Sequence, residues 1–191
     1  MHRTSLIAGA VLLAIWALAG CNPFTTAYGV AVDERGLGDM TKDRRIKSQI
    51  IADFAANKSI EGLGFSVYSY YGKVFLVGEQ EKPDQKALAV TLARRVSGVE
   101  SVATYILDEL PEGEEAPCPF TDRIQRQVEI EAELLQDMDA TSSNVEVQLV
   151  QCDLVLLGVL ESQEEIDRVA DHARRIVGVR KVVNFLMTPK P

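Results

Sequence analysis

Apolar positions recur along this chain in two alternating rhythms, and the order of the rhythms is the same twice over. Ile46, Ile50, Ile51 and Phe54 in the first half, and Ile124, Val128, Leu134, Leu135 and Met138 in the second, have the spacing of one helix face. A period-two strand pattern follows each: Phe65 and Val67 share one side, as do Val145, Val147 and Leu149. Next comes a short apolar run, Lys73 to Val77 and Leu154 to Leu157, which is expected to stop at Gly78 and Gly158. A second helix then turns Leu88, Leu92 and Val96, or Ile166, Val169, Ala173 and Ile176, toward a core. Ser162 and Glu165 have capping-box spacing at one helix start, and Pro83 suits the first helical position of the other. Gly98 and Gly178 end both helices where a left-handed residue costs least. A last strand follows at once, with Val99, Val102 and Tyr105 matched by Val179, Val182 and Phe185.

Laid over each other at an offset of 80, residues 74–106 and 154–186 align without a gap and are identical at nine positions. Those are Leu76, Gly78, Glu81, Ala93, Arg94, Arg95, Gly98, Val99 and Val102 with their counterparts. Duplication of one supersecondary unit accounts for this agreement. Each unit reads helix, strand, strand, helix, strand. The first two strands make a hairpin, and a right-handed crossover leaves the last two parallel. The expected fold is α+β: two tandem domains, 43–110 and 121–191, each with two helices on one face of a three-stranded mixed sheet. Residues 111–120 form a Pro/Glu-rich linker. Units this small have modest cores, which favours docking of one copy on the other.

Ahead of the repeat lies a different pattern. Met1, His2 and Arg3 precede an apolar run from Leu6 to Ala19, too short to span a bilayer as a helix and shaped like a secretory leader. Leu18-Ala19-Gly20-Cys21 resembles a bacterial lipobox, so residues 1–20 are expected to be removed and Cys21 to carry the lipid, palmitate among its acyl chains. Two acyl chains suffice to hold a small domain on a membrane. Residues 21–42 would form the acylated tether, and Asn22 in place of an aspartate favours the outer membrane.

The formal net charge of −8 argues against a nucleic-acid partner, which needs clustered Lys and Arg. Beyond the leader His172 is the sole histidine, and no zinc-ligand spacing, phosphate-binding glycine loop or nucleophile elbow is present. The chain reads as a non-enzyme with no cofactor or metal. Cys118 and Cys152 are a disulfide candidate in an oxidising compartment: a first helix antiparallel to the next strand returns Cys152 to Cys118. Gly72 stands at the matching place in copy one. The repeated cations are Arg94, Arg95, Arg174 and Arg175, with Arg180 and Lys181 nearby. They either complement helix dipoles or meet an anionic partner.

The order of elements, the glycines at 78 and 158, and the repeated Ala-Arg-Arg-x-x-Gly-Val before a valine-spaced strand resemble BON domains. Two of them behind a lipobox resemble the dual BON-domain lipoproteins of the periplasm and outer membrane. The resemblance implies a periplasm-facing protein on the inner leaflet of the outer membrane. It also implies support of membrane integrity through anionic phospholipid, with the arginine pairs, Arg180 and Lys181 as contacts. The alternative is an adaptor that binds an envelope assembly or cell-wall factor and touches lipid only through its acyl anchor. The acidic helix carrying Glu129, Glu131, Glu133, Asp137 and Asp139 argues against an anionic membrane at that surface.

Overall fold

The computed structural model describes residues 35–60, 64–114, 118, 123–136 and 145–190; the leader, Cys21, the tether up to residue 34, Asp137, Met138 and Asp139 lie outside them. The first unit contains α1 (Leu37–Ala55), β1 (Phe65–Tyr70), β2 (Lys73–Gln80), α2 (Gln85–Arg95) and β3 (Ser101–Asp108). The second contains α3 (Arg123–Gln136), β4 (Val145–Val150), β5 (Asp153–Val159), α4 (Gln163–Ala173) and β6 (Lys181–Met187). Each sheet runs in sequence order, with an antiparallel hairpin followed by a parallel pair. The α+β fold expected from the repeat is the fold observed.

Successive strand side chains point to opposite faces, and here both faces are used. Val67, Val74 and Leu76 pack under α1 and α2 with Ile46, Ile50, Ala89 and Ala93. Val147, Leu154 and Leu156 do the same with Ile130, Leu134, Ile166 and Val169. The opposite faces meet each other: Tyr68, Phe75 and Val77 share one cluster with Val155, Leu157 and Val159. The result is four layers, helices, sheet, sheet and helices, with the Phe75 and Phe185 rings 4.9 Å apart across the seam. Covered on both sides, β5 is buried along its whole length, which is why it reads as an apolar run instead of an alternation.

The two units run in opposite directions. Gln151 at the second hairpin tip donates to the carbonyl of Asp108 (3.0 Å), and Asp108 pairs with Gln80 at the end of sheet one remote from its own tip. Reciprocally, Lys190 beyond β6 donates to the Tyr71 carbonyl (3.4 Å) at the first tip. The hairpin tips therefore mark opposite poles of the pair.

Several local expectations change. Gly78 and Gly158 lie inside β2 and β5, opposite Phe65 and Val145, and do not stop them. A Cβ at Gly78, at φ +153°, would come within 2.0 Å of the Gly64 carbonyl oxygen, so close approach of the neighbouring strand is what needs the glycine. Gly98 and Gly178 do take positive φ, 95° and 89°, just past α2 and α4. Pro83 precedes the N-cap Asp84 instead of opening the helix, and α1 starts at Leu37, inside the expected tether, because Met40 adds a buried turn. Ile51 is exposed while Ile46, Ile50 and Phe54 are buried. On α3 only Ile130 and Leu134 are buried among the described side chains; Ile124 and Val128, expected in the core, are 80% and 60% exposed.

Candidate interaction site

The helix starts show how the repeat conserves a function while changing its chemistry. Ser162 accepts from the Glu165 amide (3.2 Å), and the Glu165 carboxylate accepts from the Glu161 amide (3.1 Å). Gln85, the counterpart of Glu165, accepts from the amides of Glu81 and Lys82 with its side-chain oxygen. Amides just ahead of the helix are satisfied in both copies, by a carboxylate in one and a side-chain amide in the other, and α4 alone of the two also has a side-chain N-cap.

The repeated cations separate into two groups. Arg180 makes a paired hydrogen bond to Asp153 (2.7 and 2.9 Å), and Asp153 also accepts from the Tyr105 hydroxyl across the seam. Burial works to raise the Asp153 carboxyl, but the hydrogen bonds from Arg180 and Tyr105 outweigh it and hold it below its ordinary value. The Tyr105 hydroxyl is pushed up to about 12, by burial first and then by the bond to Asp153 and its charge. Lys181 lies over the Tyr105 ring at 5.0 Å. Arg180 and Lys181 thus face the domain seam. Arg94, Arg95, Arg174 and Arg175 are exposed, Arg174 pairing with Asp171 one turn earlier.

At the first pole, Lys42 Cε and an Arg45 guanidinium nitrogen lie 3.5 and 3.7 Å from the point a Cβ would occupy at Gly98. The loop that follows Arg94 and Arg95 therefore has Lys42 and Arg45 packed against it at one end of the first unit. That pole is tied together by the buried carboxylate of Asp43. It accepts from Ser69 Oγ (2.8 Å), from the tip amides of Tyr71 (2.8 Å) and Gly72 (2.9 Å), and from Arg35 (3.0 Å). Tyr71 and Gly72 both have positive φ, as a tight two-residue hairpin turn requires.

The second pole repeats the geometry with other residues. At an offset of 80, Arg123 replaces Asp43, Leu149 replaces Ser69 and Cys152 replaces Gly72. The carboxylate clamp is gone, and a disulfide joins Cys118 to Cys152, with Cα atoms 5.5 Å apart. The Cys152 carbonyl accepts from the Arg180 amide (2.9 Å), so the tip is held from the other side as well. Arg126 donates to the Val177 carbonyl (3.0 Å), drawing the loop after α4 onto the start of α3.

Three exposed apolar side chains belong to this second pole: Ile124 and Val128, one turn apart on α3, and Val177, itself 80% exposed. Their counterparts in the first unit are Arg44, Ser48 and Ser97, all exposed and polar. The fold therefore does not demand apolar groups at these places. Two of the acids of α3 are engaged within the protein. Glu129 accepts from Gln125 (2.9 Å) and Arg126 (3.2 Å), bonds that hold its carboxyl below the ordinary value, and Glu133 lies 3.7 Å from His172 on α4. That contact makes His172 a half-buried packing residue between helices.

Among the described residues, no group of three His, Cys, Asp or Glu converges as a metal site, and no helix is long and apolar enough to cross a membrane. A cleft of about 280 Å³ opens at the seam between Gly64, Gly78 and Glu79 on one side and Gln127, Gln148 and Leu149 on the other. Its lining mixes the apolar Ile124, Leu149 and Val150 with glycines, two glutamines and two glutamates, and among the described residues holds no histidine, cysteine or serine.

Comparison with known proteins agrees with this architecture. The chain is 29% identical over 153 residues to the osmotically-inducible protein Y of Escherichia coli (strain K12), covering 80% of this chain and 75% of that protein. It is 26% identical over 189 residues to the outer membrane lipoprotein DolP of Haemophilus influenzae, covering 96% and 94%. It is also 26% identical over 157 residues to the 21 kDa hemolysin of Actinobacillus pleuropneumoniae, covering 81% and 78%. The family model of the BON domain matches residues 42–107 and 123–188, one match to each unit and together well over half of the chain. With a family match on each half of its duplicated fold, this chain belongs to the BON-domain family.

Proposed function

We propose that this protein is a non-enzymatic lipoprotein of the bacterial envelope whose second BON domain rests on anionic phospholipid while acylated Cys21 anchors the chain. One relative is named an outer membrane lipoprotein and another an osmotically-inducible protein, names that support an envelope protein of this type. The observation that carries the reading is the apolar second pole. Ile124, Val128 and Val177 stand exposed where the sister domain has Arg44, Ser48 and Ser97, and Arg174 and Arg175 lie between the end of α4 and Val177. Exposed apolar side chains flanked by cations suit the headgroup boundary, where the former enter and the latter meet phosphate.

The tether is long enough for this arrangement. Cys21 to Arg35 spans roughly 50 Å when extended, against roughly 27 Å for an eight-residue strand. The second pole can therefore reach the inner leaflet of the outer membrane although the tether enters at the first. With the second pole on the bilayer, Lys42, Arg45, Arg94 and Arg95 point into the periplasm. That cluster supports a second reading, an adaptor that meets an acidic envelope protein through its first domain.

Flotation of the chain from residue 21, unacylated, with phosphatidylglycerol-containing and phosphatidylcholine-only vesicles tests both readings. Binding to the anionic vesicles alone is expected. It should be lost with Ile124→Ser plus Val128→Ser and with Arg174→Glu plus Arg175→Glu, and kept with Arg94→Glu plus Arg95→Glu. No flotation at low salt would remove the lipid reading and leave the adaptor.

A further inference from the structure

We propose that the cleft at the domain seam is a headgroup pocket for an aminophospholipid, in which Glu79 and Glu109 receive the ammonium while the side-chain amides of Gln127 and Gln148 donate to the phosphate. The four side chains come from both domains and are sorted by chemistry. Gln127 Oε1 already accepts from the Leu149 amide (3.0 Å), and Gln148 Oε1 accepts from Ser66 Oγ (3.1 Å) and the Tyr68 hydroxyl (3.0 Å). With both oxygens engaged, what each glutamine has left to offer a ligand is its Nε2 donor. On the first-domain side the Glu109 amide is held by the Gln80 carbonyl (2.8 Å), while its exposed carboxylate bonds to no described residue. Donors on one wall and acceptors on the other match a short zwitterion, in which an ethylene unit separates an ammonium from a phosphodiester. The volume of about 280 Å³ lies just below the usual range for ligand sites, roughly 300–1,000 Å³, and suits a headgroup better than a whole lipid.

The repeat does not dictate the cleft. At the offset of 80, Gln127, Gln148 and Val150 stand where the first domain has Lys47, Tyr68 and Tyr70, and Glu79 stands where the second has the buried Val159. In the first domain Lys47 lies over the Tyr68 ring (5.3 Å) and Arg35 over the Tyr70 ring (4.8 Å), so stacked cations and rings occupy the matching places. Position argues for lipid as the source of the ligand. Ile124 lines the cleft and also belongs to the exposed apolar pole, so the cleft opens onto the surface assigned to the bilayer. Two carboxylates beside that surface would repel an anionic headgroup, whereas they attract an ammonium. A quaternary ammonium fits less well: it has no N–H to donate, and among the described residues no aromatic ring lines the cleft to cage it.

The lipid as source rests on the membrane reading above; the zwitterion pocket does not, and the two fail separately. The probe for the pocket is glycerophosphoethanolamine, titrated by amide NMR into the chain from residue 21 with Cys21→Ser, beside glycerophosphocholine. Saturable shifts are expected at the Leu149 and Val150 amides and at the Gln127 and Gln148 side-chain amides, with the choline compound binding at least tenfold more weakly. Glu109→Gln should weaken binding at least fivefold and leave the Leu154–Leu157 resonances in place, which shows the fold intact. No saturable shift at tens of millimolar, or equal binding of the choline compound, overturns the pocket. The probe for the source is flotation on vesicles of equal phosphatidylglycerol content whose remainder is phosphatidylcholine or phosphatidylethanolamine. At least threefold more binding with the ethanolamine lipid is expected, and Glu109→Gln should abolish that gain while floating with phosphatidylglycerol as before. A gain that survives Glu109→Gln overturns the assignment to the cleft. Shifts without any such gain overturn the lipid as the source, and shifts without flotation on any vesicle remove the membrane reading while the pocket stands.

Discussion

At the scale of single residues, the Tyr105–Asp153–Arg180 group shows how one carboxylate can serve two domains. Asp153 is almost wholly buried and receives Arg180 from its own domain and Tyr105 from the other. The Tyr105 hydroxyl, raised to about 12, is more easily deprotonated in the unfolded chain, where its ordinary value is near 10. Its stabilising contribution is therefore complete below about pH 10 and is lost as pH rises through about 12. Asp153, held below its ordinary value, contributes above the carboxylate range and loses that contribution as pH falls through it. Tyr105→Phe should cost about 1.5–3 kcal/mol, the range for a hydrogen bond to a charged group, and should flatten the alkaline limb. Urea unfolding between neutral pH and pH 11, followed by circular dichroism, measures both; an alkaline limb equally steep in the variant would show that Tyr105 does not carry it.

At the scale of elements, the α4 start is a self-contained unit whose strength can be measured. Ser162→Ala removes the oxygen that the Glu165 amide uses and should destabilise the second domain by about 1 kcal/mol. The first domain has no side-chain cap at this place and ties the approach to α2 through Gln85, so exchange in α2 should be unchanged, and a loss of protection there would contradict the independence of the two helix starts. The same comparison explains which elements were legible in the sequence. The strands, the second helices and their order follow from spacing, glycines and the capping box. Ile124 and Val128 were misplaced because their spacing alone satisfies a helix face as well as Ile130 and Leu134 do. The signal that separates them is in the repeat: Ile130 and Leu134 match buried Ile50 and Phe54, whereas Ile124 and Val128 match exposed Arg44 and Ser48. The tie between Asp43 and its hairpin tip had no sequence signature, because the partners are backbone amides brought close only by folding.

At the scale of the whole molecule, tyrosines and phenylalanines on the outer sheet faces convert two small domains into one unit. A three-stranded sheet with two helices on one face would leave its other face in water, and the cluster around Phe75 and Phe185 removes both faces at once. Opposed hairpin tips follow from that packing, which is why the cationic first pole and the apolar second pole point in different directions. The docking has a thermodynamic signature. If the seam couples the domains, the native chain unfolds in a single transition, and Phe75→Ala should cost about 3–5 kcal/mol, the range for removing a buried aromatic side chain. Adding Phe185→Ala should cost less than its separate effect, since the two rings touch and their contributions are not independent. The double variant should then unfold in two steps, the second domain retaining its disulfide and the larger buried helix face of α4. Residue-resolved exchange across a urea series would read this directly. Two transitions already present in the native chain would mean that the sheets touch without coupling, and the poles would then be free to turn toward one surface.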